Sequence, residues 1–311
     1  MRALLRGAEL RHLPVALRLH DLPIVRTFLR DGGGTFEVTG LDVPASLKPL
    51  VIGIRETVAW PHVESRRWRF EVRLPTAVVL GSMTLEPIGR ITLDNEALAL
   101  FRPAHARTMC VGRVERSWRY FLAWRRARAV GNSGRLTMTA ADLRALDVYY
   151  QRPRPVWLVT VPHRSSFNIF PMDLLDTMDG DRLFLALRSS SPSIPFMRQR
   201  CAIALSAVPA TLKEVIYRLG AHHKIAYASD IPLPFATARS ARHDLSVPAS
   251  AFAVSEWMLG DWVEVGSHTC FIAERVSETR TASGSQLAHV SAMFAHGARA
   301  VDLPFTWVSE E

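Results

Sequence analysis

One short stretch of the 311-residue chain gathers groups able to hold an anion. Arg188-Ser189-Ser190-Ser191-Pro192 sets a guanidinium beside three consecutive hydroxyls and their backbone N–H groups. A phosphate carrying about two negative charges needs a cation and several donors at one place. Serine triplets also serve as plain loops, so the stretch alone does not specify a ligand. Upstream, Ser165-Ser166-Phe167-Asn168 follows an apolar run and offers two hydroxyls and an amide, although an asparagine after a strand is equally a turn former. His222, His223 and Lys224 stand together, and His163 and His268 lie elsewhere. Adjacent histidines point to opposite sides of an extended strand, and no carboxylate or cysteine sits at a supporting spacing, so the pattern argues against a metal site. Lining a cleft, a protonated histidine or Lys224 would stabilise negative charge on a bound group. A buried, hydrogen-bonded structural pair is the other reading.

The elements that must position these groups are mostly short strands. Leu183–Leu187, Val156–Val161, Ala202–Leu205 and Cys270–Ile272 are brief apolar runs separated by turns, with no long amphipathic helices between them. This spacing predicts a closed or nearly closed β-barrel and not a doubly wound α/β sheet. Thr139 is placed to cap a helix that runs to Tyr149 and ends before Arg152-Pro153-Arg154-Pro155. In the first half, strands are predicted at Thr35–Thr39, Leu50–Ile54, Trp68–Val72, Ala77–Leu80, Arg90–Leu93 and Ala97–Phe101. Trp68, Phe70 and Val72 alternate with Arg67, Arg69 and Arg73, which fits a sheet with one wet face. An imperfect helical stripe over Leu17–Arg30, stopped by Asp31-Gly32-Gly33-Gly34, predicts a helix there. A second helix spans Val114–Val130, with Val114, Trp118, Phe121, Leu122 and Ala129 on one face and the arginines elsewhere.

The charge is divided as sharply as the pattern. The net charge is +9. Residues 1–134 hold 21 basic and 12 acidic side chains, and residues 135–311 hold 17 of each, the Gly131-Asn132-Ser133-Gly134 stretch marking the join. Only Lys48, Lys213 and Lys224 are lysines, so the basic excess is an arginine excess of the kind a codon-level preference produces. The helix at residues 113–130 is expected to dock on its own domain with a solvated arginine face. Binding of nucleic acid or a membrane surface, a homodimer contact, and an arginine reaching a ligand phosphate are its other readings. Cys110, Cys201 and Cys270 form no paired motif, which fits a cytoplasmic protein without a disulfide framework. The amino terminus lacks the apolar run of a signal peptide, and no window approaches the ~20 apolar residues that span a bilayer.

From Pro155 to Pro209 the order is strand, polar stretch with an asparagine, strand, serine-rich turn, helix-like turn, strand. This order resembles the flavin reductase-like family of FMN-binding split barrels. Pro155-Val156-Trp157-Leu158-Val159-Thr160 matches its P-V-x-x-V-T strand, Ser165-Ser166-Phe167-Asn168 its asparagine loop, and Arg188-Ser189-Ser190-Ser191-Pro192 its serine and proline loop. Val265-Gly266-Ser267-His268-Thr269 with Phe271-Ile272 resembles its G-D-H-x-x-(F/L) strand, Ser267 standing where aspartate is common. Ile169-Phe170-Pro171-Met172 replaces the small residues that usually follow the asparagine, and no G-x-G-x-x-G loop is present.

The resemblance covers about residues 136–300. It implies a mainly β fold with flanking helices: a C-terminal split β-barrel of the FMN-binding type over 135–311, behind a basic β-rich N-terminal domain over 1–134. It implies an NAD(P)H-dependent flavin oxidoreductase with FMN or FAD as cofactor. Ser165, Ser166, Asn168, Arg188, Ser189, Ser190, Ser191, His222, His223 and Lys224 would line the flavin, and His268 would act on the nicotinamide side. A homodimer is implied, with a monooxygenase or another electron acceptor as partner. The alternative is a flavin- or haem-binding protein without turnover, whose basic first half binds an anionic partner.

Overall fold

Two runs of seven strands, one in each half of the chain, fold into sheets of the same order. The computed structural model describes residues 12–18, 25–31, 33–57, 66–129, 139–163, 166–178, 180–225, 233–281, 284–298 and 306–307. After β1 (His12–Arg18), the first run is β2 (Arg26–Arg30), β3 (Thr35–Glu37), β4 (Asp42–Leu47), β5 (Leu50–Arg55), β6 (Trp68–Arg73), β7 (Val79–Leu93) and β8 (Glu96–Thr108). Helices α1 (Arg113–Ala129) and α2 (Ala140–Tyr149) and strand β9 (Arg154–Pro155) lead into the second run. That run is β10 (Trp157–His163), β11 (Ser166–Met172), β12 (Leu175–Thr177), β13 (Arg182–Arg188), β14 (Ala202–Ala207), β17 (Ala253–Val265) and β18 (His268–Arg280). Short helices α3 (Ile194–Met197) and α4 (Lys213–Leu219) and a small hairpin, β15 (Thr237–Arg239) and β16 (Ser246–Pro248), are inserted around β14. Strand β19 (Ser285–Ser291), helix α5 (Ala292–Ala298) and β20 (Thr306–Trp307) complete the described elements.

The first sheet runs β3-β2-β6-β7-β8-β5-β4 and the second β11-β10-β14-β17-β18-β13-β12. Taken in chain order, the seven strands of each run occupy the same seven places. The fold is therefore an internal repeat. Both central hairpins turn in two residues, Asp94-Asn95 and Gly266-Ser267, so Glu96 corresponds to His268, Leu98 to Cys270, and Leu100 to Ile272. Ile52 opposes Phe101 as Leu183 opposes Ala273, which carries the correspondence to β5 and β13. Counting on from there, Thr57 corresponds to Arg188.

Side-chain parity explains the apolar runs of β5 and β13 and those at 97–101 of β8 and 270–273 of β18. Successive residues of a strand point to opposite faces. Leu183, Leu185 and Phe271 join the second repeat's own core, while Phe184, Ala186, Cys270 and Ile272 turn the other way. The first repeat does the same: Ile52, Ile54, Ala99 and Phe101 face its own core, and Val51, Leu98 and Leu100 face outward. The outward sets of the two repeats meet in a shared cluster that also contains Val43, Leu93, Leu174 and Val265. Strands buried on both faces lose the polar alternation that would mark them as half-wet.

Neither sheet is closed by a ladder among the described residues, so of the expected closed or nearly closed barrel the open form is found, a wrapped sheet. The wrapping is visible at a cavity of about 460 Å³, bounded by Trp157 of β10 and Leu175 of β12, strands near opposite ends of the sheet order.

The expected division at residue 134 is crossed by structure. Strand β1 pairs along its length with β19, and Val15, Ala288 and Val290 share the first repeat's core. Helix α2, begun by the Thr139 capping box, inserts Tyr149 and Tyr150 into that same core. The Gly131–Gly134 join lies outside the described residues.

Two helix expectations change. The described ends of the predicted helix over Leu17–Arg30 lie in strands β1 and β2, Thr27 and Leu29 being buried between exposed Arg26 and Arg30 with a period of two and not of 3.6, and residues 19–24 lie outside the described residues. Helix α1 forms, and of its expected apolar face only Leu122 is buried among the described side chains. Arg116 donates to the Thr108 carbonyl at 2.7 Å and Arg119 pairs with Glu115, while Val114, Trp118 and Phe121 are exposed. No helix among the described residues is long and apolar enough to cross a membrane.

Candidate functional site

Arg188 ends β13 and lies opposite His268, the first residue of β18. The Ser189-Ser190 turn follows at once, because the Ser189 N–H donates to the Ser267 carbonyl at 3.1 Å and the Ser191 N–H to the Arg188 carbonyl at 2.8 Å. Ser191 is buried, and its hydroxyl accepts from the Ser193 N–H at 3.4 Å. The Thr269 hydroxyl donates to Ser189 Oγ at 3.0 Å, fixing the turn to β18.

The side chain of Arg188 makes no hydrogen bond and no ion pair with any described residue. Burial lowers the pKa of its guanidinium. A half-buried cation without a carboxylate is costly unless something else supplies the negative charge. The chain's other buried arginines show the contrast: Arg152 and Arg154 are both neutralised by Asp176, Arg152 also by Asp42.

Asn168 lies inside β11, two residues past its start, and not in the expected loop. Its Nδ2 donates at 2.9 Å to the carbonyls of both His222 and Ile225, and stands 3.5 Å from Ser193 Oγ. Its Oδ1 is buried and accepts no hydrogen bond from the described residues. The polar chain Asn168, Ser193, Ser191, Arg188, His268 is thus continuous. Ser166 sits at the β10–β11 end and bonds back to the His163 carbonyl at 3.2 Å, so it stabilises its own hairpin. Ser165 and the side chain of His223 lie outside the described residues.

The paired histidines occupy a 3-10 turn, His222–Lys224, and not the extended strand assumed for them. His222 is buried and uses Nδ1–H to donate to the Ile169 carbonyl at 3.1 Å, which leaves Lys224 as the exposed cation of that turn.

His268 is 1% exposed. Burial first, and the Arg188 charge second, lower its pKa to about 4. At neutral pH it is therefore an uncharged imidazole. The Leu47 N–H donates to Nδ1 at 3.4 Å and the Ser267 hydroxyl is 3.0 Å from the same atom, so the ring proton is on Nε2. Leu47 belongs to the first repeat. So does Ser46, whose Oγ accepts from the Ser267 N–H at 3.2 Å. Gly266, at φ +56°, brings this hairpin tip so close that a Cβ there would stand 2.9 Å from the Lys48 carbonyl oxygen. The β4–β5 turn is thus a wall of the site, and local sequence carries no sign of it because it lies more than 200 residues away in the chain.

The corresponding place in the first repeat is filled differently. Glu96, in the position of His268, accepts from Arg55 at 2.7 and 3.2 Å and from Arg182 at 3.1 Å. Arg182 also donates to the Asp94 carbonyl at 2.9 Å, and Arg55 to the Met178 carbonyl at 3.1 Å. Thr57 stands where the second repeat has Arg188.

No protein-family model and no curated protein matches the chain. Solved structures similar to it include an NADH:FAD oxidoreductase of Streptomyces globisporus, 17% identical, covering 54% of this chain and 94% of its own at a TM-score of 0.42. An FMN-binding protein of Thermus thermophilus is 16% identical, with coverage of 43% and 74% and a TM-score of 0.38. The styrene monooxygenase flavin reductase of Pseudomonas putida S12 is 15% identical, with coverage of 47% and 92% and a TM-score of 0.39.

Proposed function

We propose that the protein binds a flavin nucleotide, FMN or FAD, at Arg188 and uses NAD(P)H to reduce it for an electron acceptor such as a monooxygenase. The observation that carries this reading is Arg188: a half-buried guanidinium without a carboxylate, at the mouth of a serine turn. A phosphate supplies the missing charge, and the hydroxyls of Ser189 and Ser190 supply donors beside it. The buried, unbonded Oδ1 of Asn168 calls for an N–H donor, and the imide N–H of the isoalloxazine ring is one. Both unmet requirements are of the kind a flavin nucleotide meets.

Bound flavin supplies the hydride acceptor, chemistry that no side chain of this site provides. The chain's own residues bind and orient. Arg188 and the serine turn hold the phosphate end. Lys224 offers a positive charge beside the ring, and His268 presents a neutral Nε2–H toward the nicotinamide side. Its imidazole does not deliver a proton by becoming imidazolium at neutral pH, because burial opposes that charge.

The arginines of the first half do not favour the alternative of an anionic macromolecule on its sheet. Arg55, Arg66, Arg67, Arg73 and Arg90 are each paired with a carboxylate. Purified protein mixed with FMN and NADH, or NADPH, is expected to show a loss of absorbance at 340 nm that depends on the flavin. Protein that neither binds FMN or FAD nor oxidises either nicotinamide contradicts the proposal.

A further inference from the structure

The two repeats contact each other reciprocally, as the subunits of a two-fold dimer do. The β7–β8 tip of the first reaches the second: the Asp261 N–H donates to Asp94 Oδ2 at 2.8 Å and the Asp94 N–H to Asp261 Oδ2 at 3.3 Å. A Cβ at Gly260 would stand 1.8 Å from that Asp94 oxygen, so a larger residue there would push the Asp94 carboxylate aside. The β17–β18 tip of the second reaches the first at Ser46, Leu47 and Lys48. Between the tips lies the apolar cluster drawn from both repeats, with the Cys270 thiol donating to the Ala45 carbonyl at 3.1 Å. The apolar face through which either sheet would pair with another copy is thus already covered within the chain.

Two-fold pairing of identical subunits generates two equivalent sites. Here the copies have diverged. At one, Arg188 has no counter-ion among the described residues and His268 is neutral. At the other, Thr57 replaces the cation, and each arginine has a carboxylate: Arg55 pairs with Glu96, and Arg182 with Glu96 across the interface and with Glu274. A phosphate brought there would meet Glu96 and would have to displace it from its two arginines.

We infer that the first repeat is a built-in second subunit: the chain is its own pseudo-dimer, works as a monomer, and accepts one flavin, at Arg188, with the equivalent place closed by the Arg55–Glu96–Arg182 cluster. The inference rests on the flavin reading above and replaces the homodimer implied by family resemblance. It also gives the first half a purpose, which is to supply the β4–β5 wall of the other half's site.

The test combines two measurements on the full chain. Light scattering across a dilution series is expected to give the mass of one chain, 34.8 kDa, throughout. Titration with FMN, followed by quenching of flavin fluorescence, is expected to saturate at one equivalent per chain. Two equivalents, or a mass that stays at two chains on dilution, overturns the inference while leaving the flavin reading intact. Failure to bind FMN overturns that reading and the single-site claim together, and a one-chain mass then still supports the pseudo-dimer. Ser46→Ala, a change in the first repeat, is expected to weaken FMN at the second repeat about 5- to 10-fold with the one-chain mass retained. Unchanged affinity would overturn the claim that the first repeat completes the site.

Discussion

At the tip of its central hairpin the first repeat carries Glu96 where the second carries His268, and that single position separates a sealed end from a receptive one. Glu96 draws in Arg55 and Arg182, and Arg182 pairs with Glu274 as well, so each cation there is answered by a carboxylate. His268 is uncharged and attracts no counter-ion, so Arg188 beside it has no carboxylate partner among the described residues. The two sheets share strand order, hairpin geometry and a common apolar interface. The difference teaches that the fold supplies a place and the charge balance decides whether the place is open.

The largest effect is expected at the interface that makes the two ends comparable. Phe184 fills the shared cluster where the first repeat has only Gly53. Phe184→Ala should cost about 3–5 kcal/mol in urea unfolding. A loss below about 1 kcal/mol would mean that the repeats are not packed together as described. Next is the open end itself. Arg188→Ala should weaken FMN roughly 30- to 100-fold and riboflavin far less, because riboflavin lacks the phosphate. Equal losses for the two ligands would remove Arg188 from the phosphate. At the sealed end, Glu96→Ala leaves two partly buried arginines facing each other and should cost about 2 kcal/mol of stability without weakening FMN. A matching loss of FMN affinity would show that the ends are not independent.

The smallest effect per increment is a slope. The folded pKa of His268 is about 4 against an ordinary value of 6.5, so the unfolded chain binds the extra proton between those values. Its contribution to stability is whole above pH 6.5 and is lost as pH falls toward 4, at up to about 1.4 kcal/mol per pH unit. Asp147, raised by burial to about 6, works in the opposite sense, losing stability as pH rises from about 4 to 6. The wild type must therefore be compared with His268→Gln, measured by urea unfolding from pH 7 to pH 4. The variant should lose the acid-side slope that His268 contributes, and identical slopes would place His268 in contact with solvent.

Much of this was legible in the sequence, and the parts that were not have physical reasons. The serine turn, the helix capped by Thr139, and the strands around β10, β13 and β14 follow from local pattern, and the structure has them. The repeat does not, because corresponding positions exchange size and charge. Ala99 and Phe101 of β8 answer Phe271 and Ala273 of β18, which conserves volume and erases resemblance. Parity hid the interface as well: Leu183-Phe184-Leu185-Ala186-Leu187 reads as one apolar run, although alternate residues serve two cores. Helix α1 misled for a related reason. Arg116 bonds to the Thr108 carbonyl and Arg119 to Glu115 of the same helix, so part of the arginine face is engaged while Val114, Trp118 and Phe121 stay exposed.

The comparison between the two ends is tested most directly by amide hydrogen exchange of the full chain with and without FMN. Added FMN is expected to slow exchange over residues 189–193 and at the 46–48 turn, and to leave residues 53–57 and 94–97 unchanged. Equal slowing at both ends, or slowing at the first repeat's end alone, would contradict the account.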